Sequence, residues 1–574
     1  MHTGTEGPHN RITHVIAAGL IALLVILCLV SMRFNAPTSD EQNHVSRGYH
    51  YLVTGNLDLN VAPPFVNMLS GIPLLFKRGV VLPSYDLTHS KTYINEFAED
   101  FVWVYNDAET VINLGRLSVI ALSAVLAWFV FSWARDLWGA GAGLMALFLY
   151  VLDPNILAHS QLATTDLGVA CFIFVATYYL WRFVRWRRNR DLVLSGTIVG
   201  LALATKLSAL LLLPIVVTIL VLELLLVRDT TLRGRWPWRQ RFTSTRWGPP
   251  AYWLGAAIGV VVLMAFVSMW AAYRFEAAPL AEPKQNHATV DRLVPVEALR
   301  PIAYRIIETV PAPFPSYLRG IRWLQRYADR GAPAFLMGSH ATKGWWYYFL
   351  VAFAIKTPLP TLLLMAAVAL RAARRGWSLE KHEYVVYVPI AAFFGATLFS
   401  FLNIGYRHIL PVLPFIFVAV GQVSTWTRTR WARIALLALL LWYAASGFAI
   451  FPHYLAYFNE SVGGPDNGYR YLVDSNLDWG QDLKGLKAYM DQNGLDRIRL
   501  AYFGSAHPEY YGIQVDALPM EKPADLEQHE TAVYAISATF LQSGYLGDTE
   551  AFSWLRAYRP LAKIGYSIFL YRLP

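Results

Sequence analysis

Two adjacent carboxylates, Asp40 and Glu41, stand a few residues beyond an unbroken apolar run, ITHVIAAGLIALLVILCLVSM (12–32). An acid pair in that place either caps a helix or does proton chemistry at a membrane surface. Thr38 with Glu41 has the spacing of a capping box, and an acid in a first helical turn suits the helix dipole. Asp40 is less easily read as a cap, because a helix starting there puts His44, Arg47 and Tyr51 on or near its face. Asp166, in QLATTDLGVACFIFVATYYLWRF, heads a later apolar block. A carboxylate at a membrane boundary is costly unless it meets a wet cavity or a partner; the competing reading is a cap aided by Thr164 or Thr165. The cations are placed alike: Lys206 at the apex of LALATKLSALLLLP, Arg407 and His408 in FLNIGYRHILPVLPF. Snorkelling to headgroups is the ordinary fate of such side chains. Lys356, in AFAIKTPLP, lies deeper and reads as the partner of an acid or of a phosphate. Acids able to take an acceptor's proton and cations able to hold a departing phosphate suit a reaction on an anionic lipid.

The elements that must carry these residues are membrane spans. Of 574 residues 55% are hydrophobic and 15% charged, and the apolar residues fall in blocks of about 20, the length that crosses a bilayer. The fold class expected is mainly α, a polytopic membrane protein of about eleven spans: 12–32, 111–134, 138–152, 162–184, 192–206, 208–227, 250–273, 346–370, 383–401, 409–426 and 431–451. The first block has too long an apolar core for a cleavable signal peptide. The arginine-rich loops 182–190, 228–247, 371–381 and 427–433 all fall on one side if 192–227 is a hairpin. By the positive-inside rule that side, with the N-terminus, is cytoplasmic. Loops 33–110 and 274–345, the turns 153–161 and 402–408, the apex at Lys206 and the tail then face outward, into the periplasm if the cell is Gram-negative. The net charge of +10 is thereby explained by orientation, and nucleic-acid binding is not expected. Residues 1–451 form the transmembrane domain. The tail, 452–574, alternates short apolar runs with one amphipathic stretch, WGQDLKGLKAYMDQNG, and reads as a small extracytoplasmic α/β domain.

Both cysteines, Cys28 and Cys171, lie inside apolar blocks, so neither a disulfide framework nor a cysteine zinc site is available. His44 and His50 are not spaced as a zinc pair. No structural metal is expected, and a loosely bound divalent cation at Asp40 and Asp166 stays open. Trp345-Trp346-Tyr347-Tyr348 suits an interfacial aromatic belt, and the Pro- and aromatic-rich loop 274–345 suits a lid.

Taken in order, the acid pair, the Pro63-Pro64 step, the Thr165-Asp166 step, the Thr205-Lys206 apex and GYRHILPVLPF resemble the membrane glycosyltransferases of the GT-C fold. The likeness is to the protein-mannosyltransferase and aminoarabinose-transferase relatives, of the family 39 type, across roughly residues 10–450. The resemblance implies inverting transfer of a sugar from a polyprenyl-phosphate carrier to a hydroxyl on a protein, lipid or polysaccharide acceptor at the outer face. It implies Asp40 as the base, Asp166 as a second acid, and Lys206 and Arg407 on the phosphate, with Glu41 open between site and cap. Many relatives carry Glu, His or Lys before the Pro-Pro step; Val61-Ala62 stand here, which argues against a metal at that corner. The stretch 451–483 resembles a segment of some bacterial relatives to which no role attaches. A multi-pass transporter or a non-catalytic scaffold is the alternative, but a transporter is expected to show matched inverted halves and charges nearer mid-membrane.

Overall fold

A computed structural model describes residues 8–59, 63–84, 93–226, 249–280, 290–291, 294–375, 382–400, 402–522, 533–543, 545 and 550–572. Val61-Ala62 and the basic loop 228–247 lie outside the described residues, as does most of 371–381.

A helix stands at each of the eleven expected places. Among the described residues seven are long and apolar enough to cross a membrane, or up to nine if each of two bent pairs is one span. Asn189–Leu203 and Tyr384–Thr397 are shorter. The boundaries follow local chemistry. Asp107 accepts from Thr110 N to start Ala108–Trp138, which ends at Gly139 with φ 94°, a conformation that glycine adopts without penalty. Asp153 accepts from Asn155 N and Ile156 N, with Pro154 in the first turn of Pro154–Ser160, the position where a missing N–H costs nothing.

Two expectations change in detail. The outward turn expected at 153–161 is a second helix, bent 63° from Ala140–Leu152. The span expected at 346–370 is broken at Thr357-Pro358, where Tyr348–Lys356 and Leu359–Arg374 meet at 112°. A residue before proline is pushed out of the helical region, and Thr357 is extended at ψ 132°.

Two short helices follow the first long one. Glu41–Thr54 crosses Phe65–Leu75 so closely that a Cβ on Gly48 would meet Asn67 O at 1.7 Å; only a glycine allows that approach. The tail carries a five-stranded sheet in the order Gln514–Ala517, Arg497–Ala501, Val533–Ser537, Ile568–Arg572, Ala562–Ile564. The first three strands run parallel and the last two pair antiparallel. Successive strand residues point to opposite faces. Val533 and Ala535 pack with Leu483, Leu486 and Met490 of the helix Leu483–Gln492, while Tyr534 and Ile536 join the core that contains the membrane helices. One face of the sheet therefore rests on its own helix and the other on the membrane half.

Candidate active site

Four of the residues singled out in the sequence meet. Asp40 precedes Glu41–Thr54, and Asp166 lies in the first turn of Thr165–Trp186. Lys206 follows Asn189–Leu203, and Arg407 lies in the tight turns Tyr406–Val412. Arg407 Nη1 donates to Asp40 Oδ2 at 2.7 Å and lies 4.0 Å from Asp166 Oδ2. Lys206 Nζ donates to Asp166 Oδ1 at 2.5 Å. The result is a chain of alternating charge, Asp40–Arg407–Asp166–Lys206. Its two carboxylates differ in access: the Asp40 side chain is 39% exposed and that of Asp166 only 2%.

Around Asp40 the polar residues are fixed. Burial pushes its carboxyl up, but the Arg407 guanidinium, helped by His44, holds it below the usual carboxylate range. His44 Nδ1 pairs with Asn67 Oδ1 at 2.9 Å, and burial lowers its pKa despite the pull of Asp40. Arg47 Nη2 donates to Asn43 Oδ1 at 2.9 Å. Arg407 Nε and His408 Nε2 are buried with no hydrogen-bond partner.

Two of the expected site residues are placed differently. Glu41 is fully buried, and its carboxylate accepts from Arg116 Nε and Ala163 N through Oε1, and from Thr38 N, Thr38 Oγ1 and Arg116 Nη2 through Oε2. The capping contact expected from Thr38 is present, within a larger brace that ties the Asp40 loop to the helix Ala108–Trp138. Those five bonds leave Glu41 no free lone pair for substrate. Lys356 is 2% exposed, and its Nζ donates to Leu455 O at 2.9 Å and to Asn476 O. It holds backbone carbonyls of the tail instead of an acid or a phosphate. Tyr348, expected in an aromatic belt, is 1% exposed and accepts from Asn476 Nδ2 at 3.0 Å; Trp346, 63% exposed, suits the belt.

The tail brings residues to this site that the sequence did not single out by role. The Trp479 ring lies under Arg407 Cζ at 4.3 Å. Asp474 accepts from Tyr545 Oη, and burial pushes its carboxyl up to about 6 against the pull of Arg407. Tyr327, from the helix Pro315–Arg330, is close enough to feel Asp474, Arg407 and Asp40, so that helix reaches this corner. The signal available was the run of polar residues VDSNLDWGQDL (473–483) in an apolar neighbourhood.

Among the described residues no group of three or more His, Cys, Asp or Glu could hold a metal ion. Arg407 stands between Asp40 and Asp166 and Lys206 takes the second acid. A divalent cation there would have to displace two positive side chains, so the donor set does not fit one.

Among curated proteins no sequence match is found. By structure the chain is similar to ArnT of Cupriavidus metallidurans bound to undecaprenyl phosphate, at TM-score 0.47 and 12% identity over 97% of both chains. It is also similar to the S. cerevisiae protein O-mannosyltransferase Pmt1-Pmt2 complex bound to the sugar donor. There the TM-score is 0.35 and the identity 16%, over 46% of this chain and 33% of that one. The archaeal oligosaccharyltransferase AglB of Archaeoglobus fulgidus, in complex with an inhibitory peptide and a dolichol-phosphate, gives 0.40 and 11%, over 91% and 69%. Residues 104–244, about a quarter of the chain, match a family described as dolichyl-phosphate-mannose-protein mannosyltransferase. That stretch holds Asp166 and Lys206, and it agrees with the resemblance read from the motifs: the chain is similar to glycosyltransferases of the mannosyltransferase type.

Proposed function

We propose that this protein is an inverting glycosyltransferase that moves a sugar from a polyprenyl-phosphate carrier to an acceptor hydroxyl at the outer face of the membrane. The observation that carries the reading is the Asp40–Arg407–Asp166–Lys206 chain, in which each cation is held by a carboxylate. The carrier's phosphate competes with those carboxylates. When Arg407 and Lys206 turn to the phosphate, Asp40, the exposed end of the chain, is released to act as a base.

The step then balances simply. Asp40 takes the proton of the acceptor hydroxyl, the acceptor oxygen bonds to the anomeric carbon, and the bond from that carbon to the carrier phosphate breaks. The electron pair leaves on the phosphate, where Arg407 and Lys206 hold the growing negative charge. A single displacement from the far face inverts the anomeric centre. The unpaired nitrogens Arg407 Nε and His408 Nε2 are further polar groups at the phosphate side. Donor and acceptor classes follow the same reading: a hexose or pentose on the carrier, and a protein, lipid or polysaccharide hydroxyl.

The placement of charge supports this orientation. The helix Thr165–Trp186 has Asp166 at one end and Arg182, Arg185 and Arg187 at the other, roughly 30 Å apart at 1.5 Å per residue. With the arginines cytoplasmic, the site, the tail and the eleven crossings fall as the sequence implies, and residues 1–451 and 452–574 are the membrane and outer domains.

The test is loss of labelled sugar from a panel of polyprenyl-phosphate donors, with purified protein in lipid and a membrane extract as acceptor. Consumption by the native chain and not by Asp40→Asn supports the reading. Equal consumption by both removes Asp40 as the base, and none by either removes the reaction class.

A further inference from the structure

The stretch Asp474–Gln481 touches both walls of the site. On the Arg407 side, Tyr406 N donates to Asn476 Oδ1 at 2.9 Å, and Ser475 Oγ donates to Ile404 O at 2.6 Å. Between them Gly405 lies so near that a Cβ would meet Ser475 Oγ at 2.2 Å. On the Asp40 side, Ser39 N donates to Trp479 O at 3.1 Å and Ala36 N to Gln481 O at 2.8 Å. The stretch is itself anchored. Asn476 is held by Lys356 Nζ and by Tyr348, and Asp474 N donates to Thr539 Oγ1 at 3.1 Å. Asp474 takes a left-handed φ of 57°, a conformation uncommon for a residue with a side chain. It places the carboxylate where Tyr545 Oη reaches it.

We propose that residues 474–481 are a working part of the catalytic centre, with Trp479 and Asp474 as positioning residues that set how Arg407 meets the carrier phosphate. The inference rests on the glycosyltransferase reading above and adds the tail to its machinery. Trp479, 2% exposed, places its ring 4.3 Å from the central carbon of the guanidinium. A guanidinium stacked on a ring keeps its N–H edge free and its plane fixed. Asp474 adds a third carboxylate beside the same cation. Its charge opposes an arriving phosphate, keeps the resting Arg407 shared among acids, and favours release of the spent carrier, which leaves with one more negative charge than the donor brought.

The two residues therefore push carrier binding in opposite directions, an outcome that simple loss of structure does not produce. The experiment measures binding of undecaprenyl phosphate to full-length protein in lipid nanodiscs at pH 8, alongside KM and kcat for a consumed donor. Trp479→Leu is expected to weaken carrier binding about 10-fold, and Trp479→Phe to stay within about threefold of native. Asp474→Asn, which still accepts from Tyr545, is expected to bind the carrier about fivefold more tightly while kcat falls. Asp466→Asn, at an exposed aspartate in the same domain that pairs with Lys563, serves as the control. Native-like carrier affinity in both Trp479→Leu and Asp474→Asn overturns the inference and leaves the glycosyltransferase reading standing. Should Trp479→Leu fail to fold, the direction of the Asp474→Asn change decides alone. A native chain that neither binds carrier nor consumes donor removes the glycosyltransferase reading, and this inference falls with it.

Discussion

Arg407 donates to Asp40 at 2.7 Å although 367 residues separate them in the chain. The same guanidinium lies 4.0 Å from Asp166, so one planar cation addresses two carboxylates from different elements. A lysine at this position is a point charge on a flexible stem and cannot serve two acids and a phosphate through a fixed fork. Arg407→Lys is therefore expected to lower kcat/KM for the lipid-linked donor about 100-fold, with the thermal unfolding midpoint near that of the native protein. A variant that turns over like native would show that the fork geometry is unimportant.

Asp40 and Glu41 are neighbours with separable tasks. Asp40→Asn keeps the shape of the side chain and removes the proposed base, and turnover is expected to fall about 1000-fold with little change in the unfolding midpoint. Glu41→Gln strands Arg116, which is 1% exposed. Breaking one side of such a buried pair costs about 3–5 kcal/mol, so that variant is expected to unfold at lower temperature while the folded fraction keeps its turnover. Paired calorimetry and turnover assays on the two variants check this. Unchanged stability in Glu41→Gln would return Glu41 to the list of chemical groups.

The legible part of the site was the part a membrane makes expensive. Asp166, Lys206 and Arg407 stand out because a charge at the end of an apolar block needs a reason, and all three meet. Glu41 and Lys356 stand out for the same cause, yet their reason is structural. Nothing in the sequence shows that Lys356 would find Leu455 O and Asn476 O, 99 and 120 residues away. Trp479 and Asp474 were hidden for a related cause. Trp479 reads as the start of an amphipathic stretch but lies before the helix Leu483–Gln492, and only tertiary contact shows that it lies under Arg407. In the fold, helices were legible from block length, while the breaks at Asp153 and Thr357 are marked only by the proline that follows each, which does not give the bend angle. The sheet was legible as strands but not in order, because its parallel pairing of Arg497–Ala501 with Val533–Ser537 is a non-local choice.

Metal removal offers an independent check. Arg407 and Lys206 occupy the space on both acids that a divalent ion would need. Donor consumption is expected to be unchanged after treatment with EDTA and removal of the chelator complex. A loss restored by added magnesium or manganese would mean that substrate binding rearranges the four-charge chain enough to admit an ion.

The last expectation concerns pH and the docking of the tail. Asp478 is fully buried, and burial pushes its carboxyl up to about 7, even though Thr539 N donates to Oδ2 at 2.8 Å. An unfolded aspartate titrates near 3.9, so between about pH 4 and 7 the folded state holds a proton that the unfolded state has lost. Stability from this group is therefore fully present below about pH 4 and declines as pH rises through about 7. Asp474, pushed up to about 6, acts in the same direction. His44, lowered by burial, acts in the opposite one, so the native profile alone is ambiguous. The informative quantity is the difference between native protein and Asp478→Asn, whose amide mimics the protonated acid and keeps the Thr539 bond. The unfolding midpoint of the variant is expected to match native near pH 4 and to exceed it by several degrees at pH 8. A constant offset across that range would mean that Asp478 does not titrate between those limits, and that the buried aspartate is ionised in the folded protein.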